Sequence, residues 1–124
     1  MGWEQAGPED WAEDFEHRAE SMLDLYCRTL YDLGYDPVAY DDLDGRIGDV
    51  YRAGKYDALC HAAWMCQQSR EFVTQGRRAK AYRWIGMIQG ILWMGGVFSI
   101  SELKTHNSLP PEAWKRRSRG AVGE

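Results

Sequence analysis

A chain of 124 residues is the size of one domain and too short for two independent cores joined by a linker. With 44% hydrophobic residues, 13% aromatics and six tryptophans it holds enough apolar surface to fold, which excludes a disordered segment. The net charge of −4 conceals a polarised chain, since residues 1–50 carry fourteen Asp/Glu against three Lys/Arg and residues 51–124 carry five against twelve.

That asymmetry has two readings. Either the halves neutralise one another across the fold, or a charged surface meets a partner, the acidic one a basic groove or the basic one an anion. The three cysteines, Cys27, Cys60 and Cys66, are odd in number and fall inside apolar helical patterns, which reads as free thiols in a reducing compartment. The acidic start, MGWEQAGPEDWAEDFEH, lacks the basic and apolar regions of a secretory signal, so a cytoplasmic protein is expected. Only Trp84 to Ile100 invites comparison with a membrane span. It is uncharged but falls short of the roughly 20 apolar residues a span needs, and it contains Gln89, Ser99 and four glycines.

In chain order, helix signals dominate. The first helix should start at Pro8, with Glu9, Asp10, Glu13 and Asp14 in the opening turns where the helix dipole favours negative charge. Phe15, Ala19, Met22, Tyr26, Leu30 and Leu33 recur at steps of three and four as one apolar face. Gly34 stops this helix and Asp36-Pro37 bars a restart. Residues 36–46 read as a loop, followed by a short helix from Ile47 to Arg52 and a turn at Gly54.

A second long helix is expected from about Lys55 to Gln75, burying Ala58, Ala62, Met65, Ser69 and Phe72, widened by Leu59, Cys66 and Val73. Gly76 stops it. The third runs from about Arg77 to Met94 with Ala81, Ile85, Ile88 and Leu92 inward, and its Gly86 and Gly90, four apart, suit the close approach of another backbone. So short a connection forces the pair into an antiparallel hairpin. Ser99 and Glu102 form a capping box for a short helix from Ile100 to His106, which Asn107 should end in a left-handed conformation before Leu109-Pro110-Pro111. The expected fold class is therefore all-α, a compact helical bundle over residues 1–109 built on a central antiparallel hairpin of 55–75 and 77–94. Residues 110–124 read as a basic tail, with Trp114 docked on the body.

No catalytic or metal constellation emerges, and no cofactor is expected. His17, His61 and His106 fall on three different helices, and Cys60, His61 and Cys66 point to different faces of one, without the short ligand spacings of a zinc site. In YDDLDG, Asp42, Asp44 and Gly45 match the third, fifth and sixth positions of a calcium loop. The first and twelfth would be Tyr40 and Tyr51, so the acids read as turn formers. Cys60 and Cys66 read as inert packing. Phosphate-loop, dinucleotide and nucleophile-elbow motifs are absent from the sequence, and an enzyme is not expected.

Two clusters carry the candidate site. Arg77, Arg78, Lys80 and Arg83 place four cations in the opening turns of a helix, against its dipole. Either the acidic first helix or residues 41–44 compensate them internally, or they bind an external anion, whether a phosphate, a nucleic acid or an acidic partner surface. Trp84 and Trp93 either flank the core or, with Met87 and Met94, form aromatic anchors for a protein partner.

From about Lys55 to Asn107, and above all in RRAKAYRWIGMIQGILWMGGVFSISELKTHN, the chain resembles small proteins encoded by tailed bacteriophages and prophages. Their shared pattern is a helix pair joined at a glycine-basic turn, an R-W-[IL]-G-x-x-Q-G-x-L-W core and an S-I-x-E-L-K ending. Here those elements are Arg83-Trp84-Ile85-Gly86, Gln89-Gly90, Leu92-Trp93 and Ser99 to Lys104. The resemblance implies an accessory protein of the bacterial host cytoplasm that acts by binding a host or phage protein, in host takeover or counter-defence. Nucleic-acid or nucleotide binding through the Arg77–Arg83 segment is the alternative, and a homo-oligomer is compatible with either.

Overall fold

The computed structural model describes residues 8–39 and 47–114, with side chains over 14–39 and 54–114. Four helices account for most of them: α1 (Pro8–Asp32), α2 (Ile47–Thr74), α3 (Arg78–Met94) and α4 (Ile100–Ser108), followed by a 3-10 turn at Pro111–Ala113. No strand occurs among the described residues, and the fold is an all-α bundle. The expected loop acids Asp42 and Asp44 lie outside the described residues, as do Glu124 and the other tail residues beyond Trp114.

Helix ends are set locally. After α2, Gly76 adopts φ 75°, and its N–H reaches Val73 O at 3.0 Å while Arg77 N–H reaches Phe72 O at 2.9 Å. This pair of bonds satisfies carbonyls that the last turn would leave open, and the left-handed residue between them costs little only for glycine. α1 closes in the same way around Gly34 and α3 around Gly96. The result at Gly76 is the expected hairpin of α2 and α3, in which the two helices pack along their lengths.

The inner faces follow the apolar periodicity with some rotation. Phe15, Ala19, Met22, Leu23, Tyr26 and Leu30 of α1 are buried, but Leu33, past the helix end, is 55% exposed rather than part of that face. Gly54, at φ 76° and ψ −176°, breaks α2 into the short and long segments expected on either side of it. In the long segment Leu59, Ala62, Cys66, Ser69 and Val73 point inward, whereas Ala58 and Phe72 sit half-buried at the flanks. α3 buries Ala81, Ile85, Ile88 and Leu92 as its pattern requires.

Two local expectations are corrected. Gly86 and Gly90 do not receive another backbone, because both are exposed and a methyl added at either would meet nothing within 4 Å. The close approach is at Gly95, where an added methyl would lie 2.9 Å from both terminal carbons of the buried Leu59 side chain. Asn107 is not left-handed, since no described non-glycine residue has positive φ; α4 runs on to Ser108 and Leu109 leaves it extended. Trp114 takes the docked position expected of it. Trp114 packs against the core and donates from Nε1 to Leu109 O at 2.9 Å.

Buried polar groups join α1, α3 and α4. The Gln89 amide of α3 donates to the Tyr26 phenol oxygen at 3.0 Å and to Asn107 Oδ1 at 3.1 Å, while Asn107 Nδ2 returns a bond to Gln89 Oε1 at 3.2 Å. The Tyr26 oxygen lies 2.8 Å from His106 Nδ1. Because the phenol oxygen already accepts from Gln89, its hydrogen is free to donate to a neutral imidazole. Burial pushes the Tyr26 phenol up and the His106 imidazole down, so both stay neutral. Arg18 completes the join. Only 8% exposed, it donates to Asn107 O at 2.7 Å and Leu109 O at 3.1 Å, placing a cation at the negative end of α4. The N-terminal end of α4 is held by the expected capping box, with Ser99 Oγ accepting from Glu102 N–H at 3.1 Å and Glu102 accepting from Ser99 N–H at 2.8 Å.

Two tests follow from this packing. Gly86→Ala and Gly90→Ala should each stabilise the fold by about 0.5–1 kcal/mol in urea titrations, since the methyl enters open space and helix propensity improves. Gly95→Ala should cost about 1–3 kcal/mol by overpacking Leu59. For the network, Tyr26→Phe strands the Gln89 donor and the His106 acceptor and should cost about 1–3 kcal/mol. Since His106 binds its proton more readily when unfolded, stability should be full above about pH 6.5 and decline as the pH falls below it. His106→Gln should remove that component of the pH slope.

Candidate functional site

The candidate residues all lie on or beside α3. Arg77 is its N-cap, with φ −86° and ψ 73°, and no side chain caps the free N–H groups of the first turn. Among the described residues the neighbours of the cations around this end are aromatic. Arg77 Cζ lies 5.3 Å from the centre of the Phe72 ring, and Lys80 Nζ lies 4.6 Å from Phe72 and 6.0 Å from Trp84. Arg78 Cζ lies 5.4 Å from the Phe15 ring of α1. The ring faces offset part of the electrostatic cost of holding cations at a helix start. Among the described residues, no carboxylate pairs with Arg77, Arg78, Lys80 or Arg83. Among the described residues the first helix meets this cluster at Phe15, while the side chains of Glu9, Asp10 and Glu13 lie outside the described ones.

The two tryptophans separate. Trp84 is half-buried, edge-on to Phe72 at 4.9 Å and tilted against Trp64 at 6.0 Å, and His61 stacks on the far side of Trp64 at 5.4 Å. It belongs to the flank of the core. Trp93 is 48% exposed, and the neighbouring Met94 and the Met87 two turns before it are 75% and 58% exposed.

These side chains share the outward side of α3 with Gly86 and Gly90. Between Arg83 and Lys104 the exposed residues are glycines, Met87, Trp93, Met94, Ile100 and two serines, without one charge. An outward helix face is ordinarily polar, and a helix apolar all round is ordinarily covered on every side. Here the inner side is covered by α1 and α2. The outer side presents large flexible thioethers and an indole beside two glycines that keep the backbone accessible, with the cations at its N-terminal end. Such a surface can bury apolar area against another helix, and it is not organised to move a proton or hold a metal.

Elsewhere the titratable groups are dispersed. His17 pairs with Glu112 at 2.6 Å, and His106 belongs to the buried network. Among the described residues no group of three His, Cys, Asp or Glu side chains could hold a metal ion, and no helix is long and apolar enough to cross a membrane. Periodicity located Met87, Trp93 and Met94, but the exposure of Gly86 and Gly90 depends on which neighbour α3 lacks, for which one sequence carries no signal. Comparison with known proteins finds no matching family model, no matching curated protein and no matching solved structure.

The two tryptophans should differ when removed. Trp84→Ala should cost about 2–4 kcal/mol in thermal or urea unfolding because it empties a packed site. Trp93→Ala should stay within about 0.5 kcal/mol of the parent, as expected for an exposed side chain, and should reduce the acrylamide-accessible part of the fluorescence.

Proposed function

We propose that this protein acts by non-catalytic protein binding, with the outward face of α3 as its contact surface. The observation that carries the reading is the uncharged exposed run from Gly86 to Met94, which leaves apolar surface uncovered in the centre of the bundle's principal hairpin. The fitting partner is a helix that lays apolar side chains across Gly86 and Gly90, packs around Met87, Trp93 and Met94, and directs acidic side chains toward Arg77, Arg78, Lys80 and Arg83. The cations, which have no carboxylate partner among the described residues, supply the charge complementarity, which favours the encounter rate and orientation, while the indole and thioethers supply the buried area. The resemblance to tailed-phage proteins directs the search to host and phage proteins of the bacterial cytoplasm, and to an accessory role that modulates or inhibits a host protein.

The test begins with capture from bacterial lysate, using the parent chain and a Met94→Glu chain as paired baits, and continues by calorimetric titration of the purified partner. Trp93→Ala should weaken binding by roughly tenfold or more, the loss of a central aromatic anchor. Arg77→Glu with Arg78→Glu should weaken it further at low salt while leaving the helical circular dichroism unchanged. Binding that survives Met94→Glu and Trp93→Ala would remove α3 as the surface. If the captured material is nucleic acid, with affinity falling steeply in salt and indifferent to Met94→Glu, the anion-binding alternative replaces this reading.

A further inference from the structure

A second site lies on the seam between α1 and α2. The two helices run antiparallel in a register fixed by three contacts: Asp24 with Arg70 at 3.3 Å, Tyr35 against Tyr56 at 5.3 Å, and Val38 N–H to Cys60 O at 3.1 Å. Arg70 stands one turn beyond Cys66, and Asp24 nearly one turn before Cys27. The register that joins the ion pair therefore sets Cys27 opposite Cys66. Cys27 and Cys66 are thus neighbours across the seam, and Arg70 stands beside Cys27. The sulfurs differ in access, since Cys66 is wholly buried and Cys27 is half-buried at the edge of the seam. Asp24 and Arg70 also line an open groove of about 520 Å³.

We propose that Cys27 and Cys66 form an oxidisable dithiol, in which Cys27 is the thiolate that meets a hydroperoxide and Cys66 is the thiol that resolves the product into a disulfide between α1 and α2. Three features of the site support this assignment. A thiolate reacts and a thiol does not, and a neighbouring cation with partial exposure distinguishes a reactive cysteine from a structural one. Cys27 is held below the ordinary thiol value, first by the hydrogen bond with Cys66 and then by Arg70, against the opposing effect of burial. Cys66 is driven upward by its contact with Cys27 and by burial. Cys60 is also buried but has no such neighbours described, and serves as the internal control.

The chemistry balances with hydrogen peroxide as oxidant. The Cys27 thiolate attacks one peroxide oxygen, the O–O bond breaks, and the departing hydroxide takes a proton to leave as water, giving a sulfenic acid at Cys27. Cys66, having lost its proton, attacks Cys27 Sγ; the S–O bond breaks and a second water leaves as the S–S bond forms. Two thiols lose two electrons and two protons in total, and one peroxide becomes two waters.

The test uses the full reduced chain, treated with hydrogen peroxide in native buffer, quenched, alkylated in denaturant and mapped by peptide mass spectrometry. The expected map has one linked peptide pair, Cys27 with Cys66, and an alkylated Cys60. Cys27→Ser should leave Cys66 reduced, and Cys66→Ser should let dimedone capture a sulfenic acid at Cys27; Cys66→Ala replaces it if the serine variant loses its helical circular dichroism. Arg70→Gln should slow iodoacetamide alkylation of Cys27 near neutral pH by several-fold. Recovery of both thiols alkylated in the parent chain, Cys27 oxidised to sulfinic acid beside a reduced Cys66, or a link between Cys27 residues of two chains would each overturn the assignment.

Discussion

Gln89 is the residue on which the arrangement of the helices turns. It is an amide buried in the uncharged second half of α3, and an amide left without partners there would cost on the order of a few kcal/mol. Its partners come from two other helices, Tyr26 on α1 and Asn107 at the end of α4. Satisfying one side chain thus fixes how three helices stand relative to each other. Apolar packing alone tolerates sliding and rotation at small cost, whereas these bonds exist in only one register.

Arg18 extends the same constraint to the end of the described chain. Its guanidinium closes carbonyls at the end of α4, where Leu109 O also receives the Trp114 indole N–H. A charge this deeply buried is sustained because its terminal nitrogens face two carbonyls and the Asp14 carboxylate and the helix terminus supplies the opposing dipole. The aromatic rings of Phe98 and Trp114 shield the His106 side of the network from water. Residues 99–114 therefore act as a clasp across α1 and α3.

With the clasp and α1 on its inner side, α3 has used its hydrogen-bonding and apolar capacity in one direction and still has apolar surface in the other. Three of the cations at its start, Arg77, Arg78 and Lys80, are held over rings. The α1–α2 seam is a separate feature, in which a pair of thiols and an ion pair are brought together by antiparallel register rather than by any local pattern. Neither depends on the other.

Most of the helical architecture was legible in the sequence, because helix formation and termination are short-range. Pro8, the glycines at 34, 54, 76 and 96, and the Ser99–Glu102 box placed the boundaries within a residue or two, and the recurrence of Phe15, Ala19, Met22 and Tyr26 or of Ala81, Ile85, Ile88 and Leu92 placed the inner faces. The candidate site was legible in part: the residue types at Arg77–Arg83, Met87, Trp93 and Met94 signalled a surface, but Gly86 and Gly90 were read as a crossing point. What only the tertiary structure decided was which side of α3 has no neighbour, which glycine meets Leu59, and that Tyr26, Gln89, His106 and Asn107, or Cys27 and Cys66, converge. Those outcomes depend on the relative rotation and register of helices far apart in the chain, and a periodicity of 3.6 residues specifies a face without specifying what stands opposite it.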